Sequence, residues 1–188
     1  NDPLAADVQT DRVLIDAAEL LRRFHDLTAQ FEIPENAVFQ LPVMSDPPHE
    51  VICHNDFAPY NCVFQQGRIV GIIDFDTAGP GSRLWDIAYA VYRFVPMMHD
   101  DHAQACGWNP IPDRAQRLKL FCDAYGLDDQ AARSALIDTV IARLTALVDY
   151  IRQNDATSGD IPRYERDIAV LRENSDIYTK AIAPSHQR

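Results

Sequence analysis

The chain has 188 residues, of which 47% are apolar and 24% charged, a globular rather than disordered composition that suits one domain or one large lobe with appended helices. Its formal net charge of −11 opposes a phosphate backbone and so excludes nucleic acid as a partner, while it is compatible with cationic small molecules. No stretch approaches the roughly 18 apolar residues of a membrane span, and no basic start leads into an apolar stretch, so neither a membrane partner nor a signal peptide is expected.

Cys53, Cys62, Cys106 and Cys122 form no Cys-x-x-Cys pair and no zinc spacing. Cys53 and Cys62 stand in apolar surroundings and read as buried, reduced thiols, which points to a cytoplasmic compartment. The chain opens on Asn1 rather than Met, leaving room for residues upstream.

Residues 1–10 are polar and irregular. From Asp11 to Phe31, Val13, Leu14, Ala17, Leu20, Leu21, Phe24, Leu27 and Phe31 follow helical spacing, with Thr10 as N-cap and Asp11 in the first turn. Residues 32–50 hold Pro34, Pro42, Pro47 and Pro48 and read as a loop. Val51-Ile52-Cys53 is a short strand-like run leading to His54.

Cys62–Gln65 and Arg68–Ile73 flank Gln66-Gly67 and predict a β-hairpin. Asn61 lies six residues before Gly67 and Asp74 seven after it. Cross-strand neighbours sit roughly 5 Å apart, so the hairpin is expected to bring Asn61 and Asp74 close together.

Helices follow. Leu84–Phe94 is stopped by Pro96, and Asp113–Tyr125 is ended by Gly126. Asp128–Asn154 is periodic through Leu136, Ile137, Val140, Ile141, Leu144, Leu147, Val148 and Ile151. Pro162 fits the first turn of a last helix carrying Ile168, Leu171 and Ile177. The run His99-Asp100-Asp101-His102 reads as a solvated connection. The chain is therefore expected to be one unit, 1–188, α+β and predominantly helical. Residues 1–50 form a helix and Pro-rich loop, 51–95 a core, and 96–188 a helical subdomain.

The chemistry concentrates in the core, in His54-Asn55-Asp56-Phe57-Ala58-Pro59-Tyr60-Asn61 and Ile73-Asp74-Phe75-Asp76. An Asp in a Pro-containing loop is ordinarily a turn residue. Here Asp56 lies five residues before Asn61, which the hairpin brings to Asp74, so three oxygen-bearing groups converge. Asn61 and Asp74 suit a hard cation such as Mg2+, which takes phosphate oxygens as well. Asp56 is left to orient a hydroxyl and accept its proton during phosphoryl transfer. His54, at the mouth of an apolar strand, reads as a packed, hydrogen-bonded residue rather than a base or ligand. A metal-dependent hydrolase built on His54, Asp56, Asp74 and Asp76 competes with this reading, but lacks further His ligands.

These residues resemble the H-x-D-x-x-x-x-N loop and the metal-binding segment of kinase-like enzymes, and more closely the aminoglycoside phosphotransferase and choline kinase family. Asp56, Pro59 and Asn61 match that family's Asp-x-x-Pro-x-Asn core. Ala78-Gly79-Pro80-Gly81, Leu84-Trp85-Asp86-Ile87-Ala88 and the helix ending in Leu21-Arg22-Arg23-Phe24-His25-Asp26 are similar to it too. The resemblance covers residues 11–95 well and the later helices by general pattern.

It implies the C-terminal lobe of a protein-kinase-like fold, whose small β-hairpin carries the catalytic and metal loops. The implied reaction is ATP-dependent transfer of the γ-phosphate to a hydroxyl of a small molecule, with Mg2+ and ATP as co-substrate. Asp56 would be the base, Asn61 and Asp74 the Mg2+ ligands, and Asp86 a buried acid bonding the catalytic-loop backbone; a helix-terminal Asp is the alternative for Asp86. Asp76 stands where protein kinases carry glycine, and either assists the metal or is a solvated turn acid. Acidic residues at Asp138, Asp149 and Asp155 could line a pocket for amines, or simply be solvated.

The family's upper lobe supplies a phosphate-covering loop and a lysine, yet no glycine-rich loop precedes His54 and no lysine precedes Lys119. The ATP-binding lobe is therefore expected to be absent from this sequence, and the chain alone weak or inactive. A non-catalytic lobe or binding module derived from such a kinase is the alternative.

Overall fold

The structure, a computed structural model, describes residues 8–41 and 49–183. Of the prolines expected to form a loop, Pro42, Pro47 and Pro48 lie outside the described residues, as do residues 1–7. Helix α1 spans Asp11–Thr28, and the Thr10 hydroxyl accepts from the Val13 N–H at its start. It buries Val13, Leu14, Ala17 and Leu21. The helix stops three residues before Phe31: Leu27 and Phe31 are 77% and 60% exposed, so the apolar spacing continues past the point where there is anything to pack on.

The strands form two antiparallel pairs. β2 (Cys62–Gln65) and β3 (Arg68–Ile72) make the expected hairpin, with Gln66 and Gly67 at φ of 52° and 69°, the left-handed pair that a two-residue turn of this twist requires. Its register runs from Gln65↔Arg68 to Cys62↔Ile72, with an extra residue, Val70, opposite Val63/Phe64. β1 (Val51–Cys53) pairs with β4 (Gly79–Gly81), a strand whose Gly-Pro-Gly sequence carries no strand propensity. The hairpin is tied to α1 by the Asp16 carboxylate, which accepts from Arg68 Nε and Nη2 at 2.6 and 2.9 Å and pairs with Arg12 as well.

The remaining helices are α2 (Arg83–Phe94), α3 (Asp100–Ala105), α4 (Arg114–Tyr125), α5 (Gln130–Asn154) and α6 (Asp160–Ile182). Ser82 caps α2, Asp113 caps α4, and Gly126 ends α4 in the left-handed conformation at φ 75°. α2 is buried on nearly all sides from Trp85 to Phe94 and is the axle of the core, with α5 against it and α6 against α5. Tyr92, Phe57, Phe94, Phe121, Leu136 and Ile137 are among its largest fully buried side chains, each worth about 1.5–3 kcal/mol of burial. Ile177 departs from the expected buried face and is 56% exposed.

The run His99–His102 is not a solvated connection. His99 caps α3 through Nδ1, which accepts the Asp101 N–H, and the His102 imidazole is 2.7 Å from the fully buried Asp167 carboxylate of α6. A six-residue helix is too short to show periodicity, which is why its sequence reads as loop. Among the described residues no helix is long and apolar enough to cross a membrane.

Candidate active site

β1 delivers the chain to His54 beneath the start of α2, where Asp86 lies fully buried. The Asp86 carboxylate accepts the backbone N–H of His54 at 2.7 Å and of Asn55 at 2.8 Å, and lies 3.0 Å from His25 Nε2. Burial alone would raise its pKa, but the His25 imidazole and the two loop N–H groups outweigh that and hold it below the ordinary carboxylate value. His25 is itself held through Nδ1, 2.7 Å from the Tyr125 hydroxyl.

The loop above is pinned at each residue. Asn55 adopts φ 65°, and its Nδ2 donates to the Thr77 carbonyl, while Thr77 Oγ1 donates to the His54 carbonyl. His54 Nδ1 accepts the Asp56 N–H, so Nε2 carries the proton it donates to the Ile73 carbonyl at 3.0 Å. Both nitrogens are occupied and the ring is fully buried against Phe57 and Phe75, an environment for a packed histidine.

Pro59 then opens a 3-10 turn, Pro59–Asn61, that aims the next side chains back at Asp56. The half-buried Asp56 carboxylate accepts the Tyr60 hydroxyl at 2.7 Å on Oδ1 and Asn61 Nδ2 at 2.9 Å on Oδ2. Asn61 Nδ2 also donates to the Asp56 carbonyl. With its NH2 committed, Asn61 has its carbonyl oxygen left as the acceptor.

The hairpin joins Asn61 to the Asp74 segment through the backbone. The Ile73 N–H donates to the Asn61 carbonyl at 3.0 Å, one residue before Asp74. Without the bulge at Val70, continuing Gln65↔Arg68 and Phe64↔Ile69 would set Asn61 opposite Ile72, so the extra residue moves it a step nearer to Asp74. Asp74 leaves the strand in the left-handed conformation, φ 66° and ψ 64°, with its side chain exposed. Asp76 is also exposed, in the first turn of the 3-10 segment Phe75–Thr77, and makes no hydrogen bond to Asp56, Asn61 or Asp74.

Among the described residues no group of three or more His, Cys, Asp or Glu side chains could hold a metal ion. The oxygen donors at hand are one amide, Asn61, and one carboxylate, Asp74. That set suits a hard cation that keeps waters and takes phosphate oxygens for its other positions, and does not suit a cation caged by protein alone.

The sequence reading missed Arg143 of α5. Its guanidinium is buried, donates from Nη2 to the Asn55 carbonyl at 2.8 Å, and lies over the rings of Tyr89 and Trp85 at 5.0 and 5.5 Å. Burial lowers its pKa from the ordinary arginine value, with Tyr89, Asp86 and Asp56 opposing. An arginine set within the apolar stripe Val140, Leu144 and Val148 was the available signal. Beside Asp56 opens a cavity of about 320 Å³ that Tyr60, Tyr89, Arg143, Tyr150 and Tyr164 help to line. Asp138, Asp149 and Asp155, expected as candidates for an amine pocket, are exposed and do not line it; Asp149 instead pairs with Arg152.

Known proteins resemble the chain at three levels. The model of the phosphotransferase enzyme family (APH) matches residues 29–136. The trifolitoxin immunity protein of Rhizobium leguminosarum bv. trifolii is 34% identical over 125 residues, which are 65% of this chain and 47% of that protein. The chain thus spans about half the length of this curated relative. Among solved structures, amicoumacin kinase in complex with AMP-PNP, Ca2+ and Ami superposes with a TM-score of 0.60 at 16% identity, over 98% of this chain and 64% of that one. At that identity the likeness shows the fold alone, a kinase-like one.

Proposed function

We propose, from the premise that this chain belongs to the phosphotransferase enzyme family, that it carries the acceptor-facing and metal-facing part of a site moving the γ-phosphoryl group of ATP to a hydroxyl of a small molecule. The observation that carries this reading is the Asp56 carboxylate, held between Tyr60 and Asn61 and open to a cavity of about 320 Å³. Each of its oxygens accepts one hydrogen bond, and an ionised carboxylate has about four acceptor positions, so room remains for a substrate hydroxyl. Asp56 orients that hydroxyl and takes its proton as the oxygen attacks phosphorus. Asn61 Oδ1 and Asp74 would hold the divalent cation, which would supply neutralisation of charge on the phosphates. Asp86 acts from beneath, keeping the loop backbone in register, and Asp76 remains a solvated turn acid in this account.

The bound AMP-PNP and Ca2+ of the amicoumacin kinase support nucleotide and divalent-metal use. Mg2+ is the form we infer for this chain. The exposed Val63, Val70, Ile73 and Phe75 give the hairpin an apolar outer strip next to Asp74, suited to lie under a nucleotide and a covering lobe. The described residues contain no glycine-rich phosphate loop, so this reading calls for a covering lobe as a further part and expects the 188 residues alone to be weak or inactive in transfer. ATP chemistry and buried, reduced cysteines suit a cytoplasmic setting.

A second reading, a lobe that binds a small molecule without transferring phosphate, is favoured by the immunity protein among the relatives. Phosphate transfer from radiolabelled ATP in the presence of Mg2+, by the longest polypeptide encoding this chain, separates the two. Under the first reading Asp56→Ala lowers transfer by about 10²–10⁴-fold with the fold intact; transfer that persists in that variant removes Asp56 as base.

A further inference from the structure

We propose that Cys106 is a modification site, a half-buried thiol that His102, Asp167 and Arg93 make ready to exchange with a low-molecular-weight disulfide. The site lies apart from the proposed phosphoryl-transfer residues and does not depend on them. Three helices build it. Arg93 comes from α2, His102 from α3 with Cys106 directly after its end, and Asp167 from α6.

Helix spacing sets the first contact. Cys106 stands four residues after His102 and its backbone N–H donates to the His102 carbonyl at 3.0 Å, so the two side chains share a face. The His102 ring is held from the other side. Its Nδ1 lies 2.7 Å from the fully buried Asp167 carboxylate, which also accepts the Tyr92 hydroxyl at 2.7 Å and the His99 N–H at 2.8 Å. That carboxylate favours the imidazolium and leaves Nε2 as the nitrogen that can serve the thiol. An acid orienting a histidine beside a thiol is the arrangement that activates a sulfur nucleophile.

A second cation faces the sulfur from α2. The Arg93 guanidinium lies 5.1 and 5.7 Å from the Tyr60 and Tyr92 rings, and its buried Nε has no hydrogen-bond partner. Among the described residues it forms no ion pair with a carboxylate, so its charge lacks a counter-anion there. Hydrogen bonds from His102 and Arg93 meet at the Cys106 sulfur. The His102 bond holds this thiol below its ordinary value against the opposing effect of burial, and the Arg93 charge adds to it. Cys53, Cys62 and Cys122 are buried instead, and burial raises all three, Cys62 and Cys122 to about 12. Thiolate character and exposure, which together make a cysteine reactive, therefore coincide at one cysteine of the four.

In the exchange Cys106 gives its proton to His102, and the thiolate attacks one sulfur of the disulfide. The S–S bond of the reagent breaks, a new one forms to Cys106, and the other half leaves as a thiolate that takes up the proton. The disulfide is the oxidant, and no further reactant is needed.

The test follows the 188-residue chain with dithiobis(nitrobenzoate), reading the released thiolate by absorbance and placing the adduct by peptide mass spectrometry. One fast phase is expected, equal to one thiol and lost in Cys106→Ser. Its rate should reach half of the plateau at lower pH than that of the peptide of residues 103–109, which carries the same thiol without its neighbours. His102→Gln should move that midpoint upward and slow the reaction at about pH 6.5 by at least about threefold, which loss of a merely space-filling ring would not do. A fast phase that survives Cys106→Ser, a midpoint no lower than the peptide's, or an unmoved midpoint in folded His102→Gln overturns the proposal. Should His102→Gln fail to fold, the unaltered chain against the peptide decides.

Discussion

Asp86 and His54 stand 32 residues apart, yet the His54 backbone N–H reaches the buried Asp86 carboxylate at 2.7 Å. The same carboxylate takes the next N–H along, that of Asn55. One side chain from the first turn of α2 thus replaces the ladder partners that β1 loses where it gives way to the loop, and it fixes the direction in which Asp56 leaves.

Asp86→Ala should therefore destabilise the fold by about 3–5 kcal/mol, because His25 and two buried N–H groups lose their acceptor together. Urea unfolding measures it. A change below about 1 kcal/mol would mean that water or a rearranged loop takes over.

Asp74→Ala should weaken Mg2+-dependent nucleotide binding by at least about tenfold in the longest polypeptide encoding the chain, since it removes the single carboxylate among the proposed oxygen donors. Nucleotide titrations with and without Mg2+ read this directly. Unchanged Mg2+ dependence would take Asp74 out of the metal site.

The His102–Asp167 contact predicts a pH effect of definite sign. Burial alone would lower the His102 pKa, but the hydrogen bonds to Asp167 and Cys106 and the charge of those two groups together outweigh it, and the pKa is raised above its ordinary value of 6.5. A raised folded pKa stabilises the protein fully below the unfolded value and loses that contribution as pH rises through the folded one. The stability gap between the native chain and Asp167→Asn should hence be widest below about pH 6 and narrow above it. Melting temperatures across pH 5 to 9 check this; a gap that widens with pH would contradict it.

Asp16→Asn should loosen the hairpin from α1, at a cost of about 1–2 kcal/mol given that Arg68 is half exposed. Amide exchange should rise in β3 before it rises in α2. Uniform exchange across both would show that the pair does not hold the hairpin separately.

Much of the site was legible because it is local. The turn Gln66-Gly67, the strands beside it and the short path from Asp56 to Asn61 are set by residues within a few positions of one another. The backbone bond between Ile73 and Asn61 follows from that spacing once the bulge at Val70 is counted, and a bulge leaves no mark in a period-two pattern. The partners of Arg143 and Asp167 were invisible for the opposite reason. Each reaches its partners across more than sixty residues, Arg143 to Asn55 and Asp167 to His99 and Tyr92. β4 was missed because pairing with β1, not propensity, makes Gly79-Pro80-Gly81 a strand.

The left-handed backbone of Asp74 has a bearing on which variants of this chain can survive. Glycine, asparagine and aspartate adopt φ near 66° with little strain, and most other residues resist it. Of those three only aspartate also carries a negative charge. A saturation library at position 74, sorted once for folding and once for nucleotide binding, should therefore give nested answers. Glycine and asparagine pass the first sort, and aspartate alone passes both.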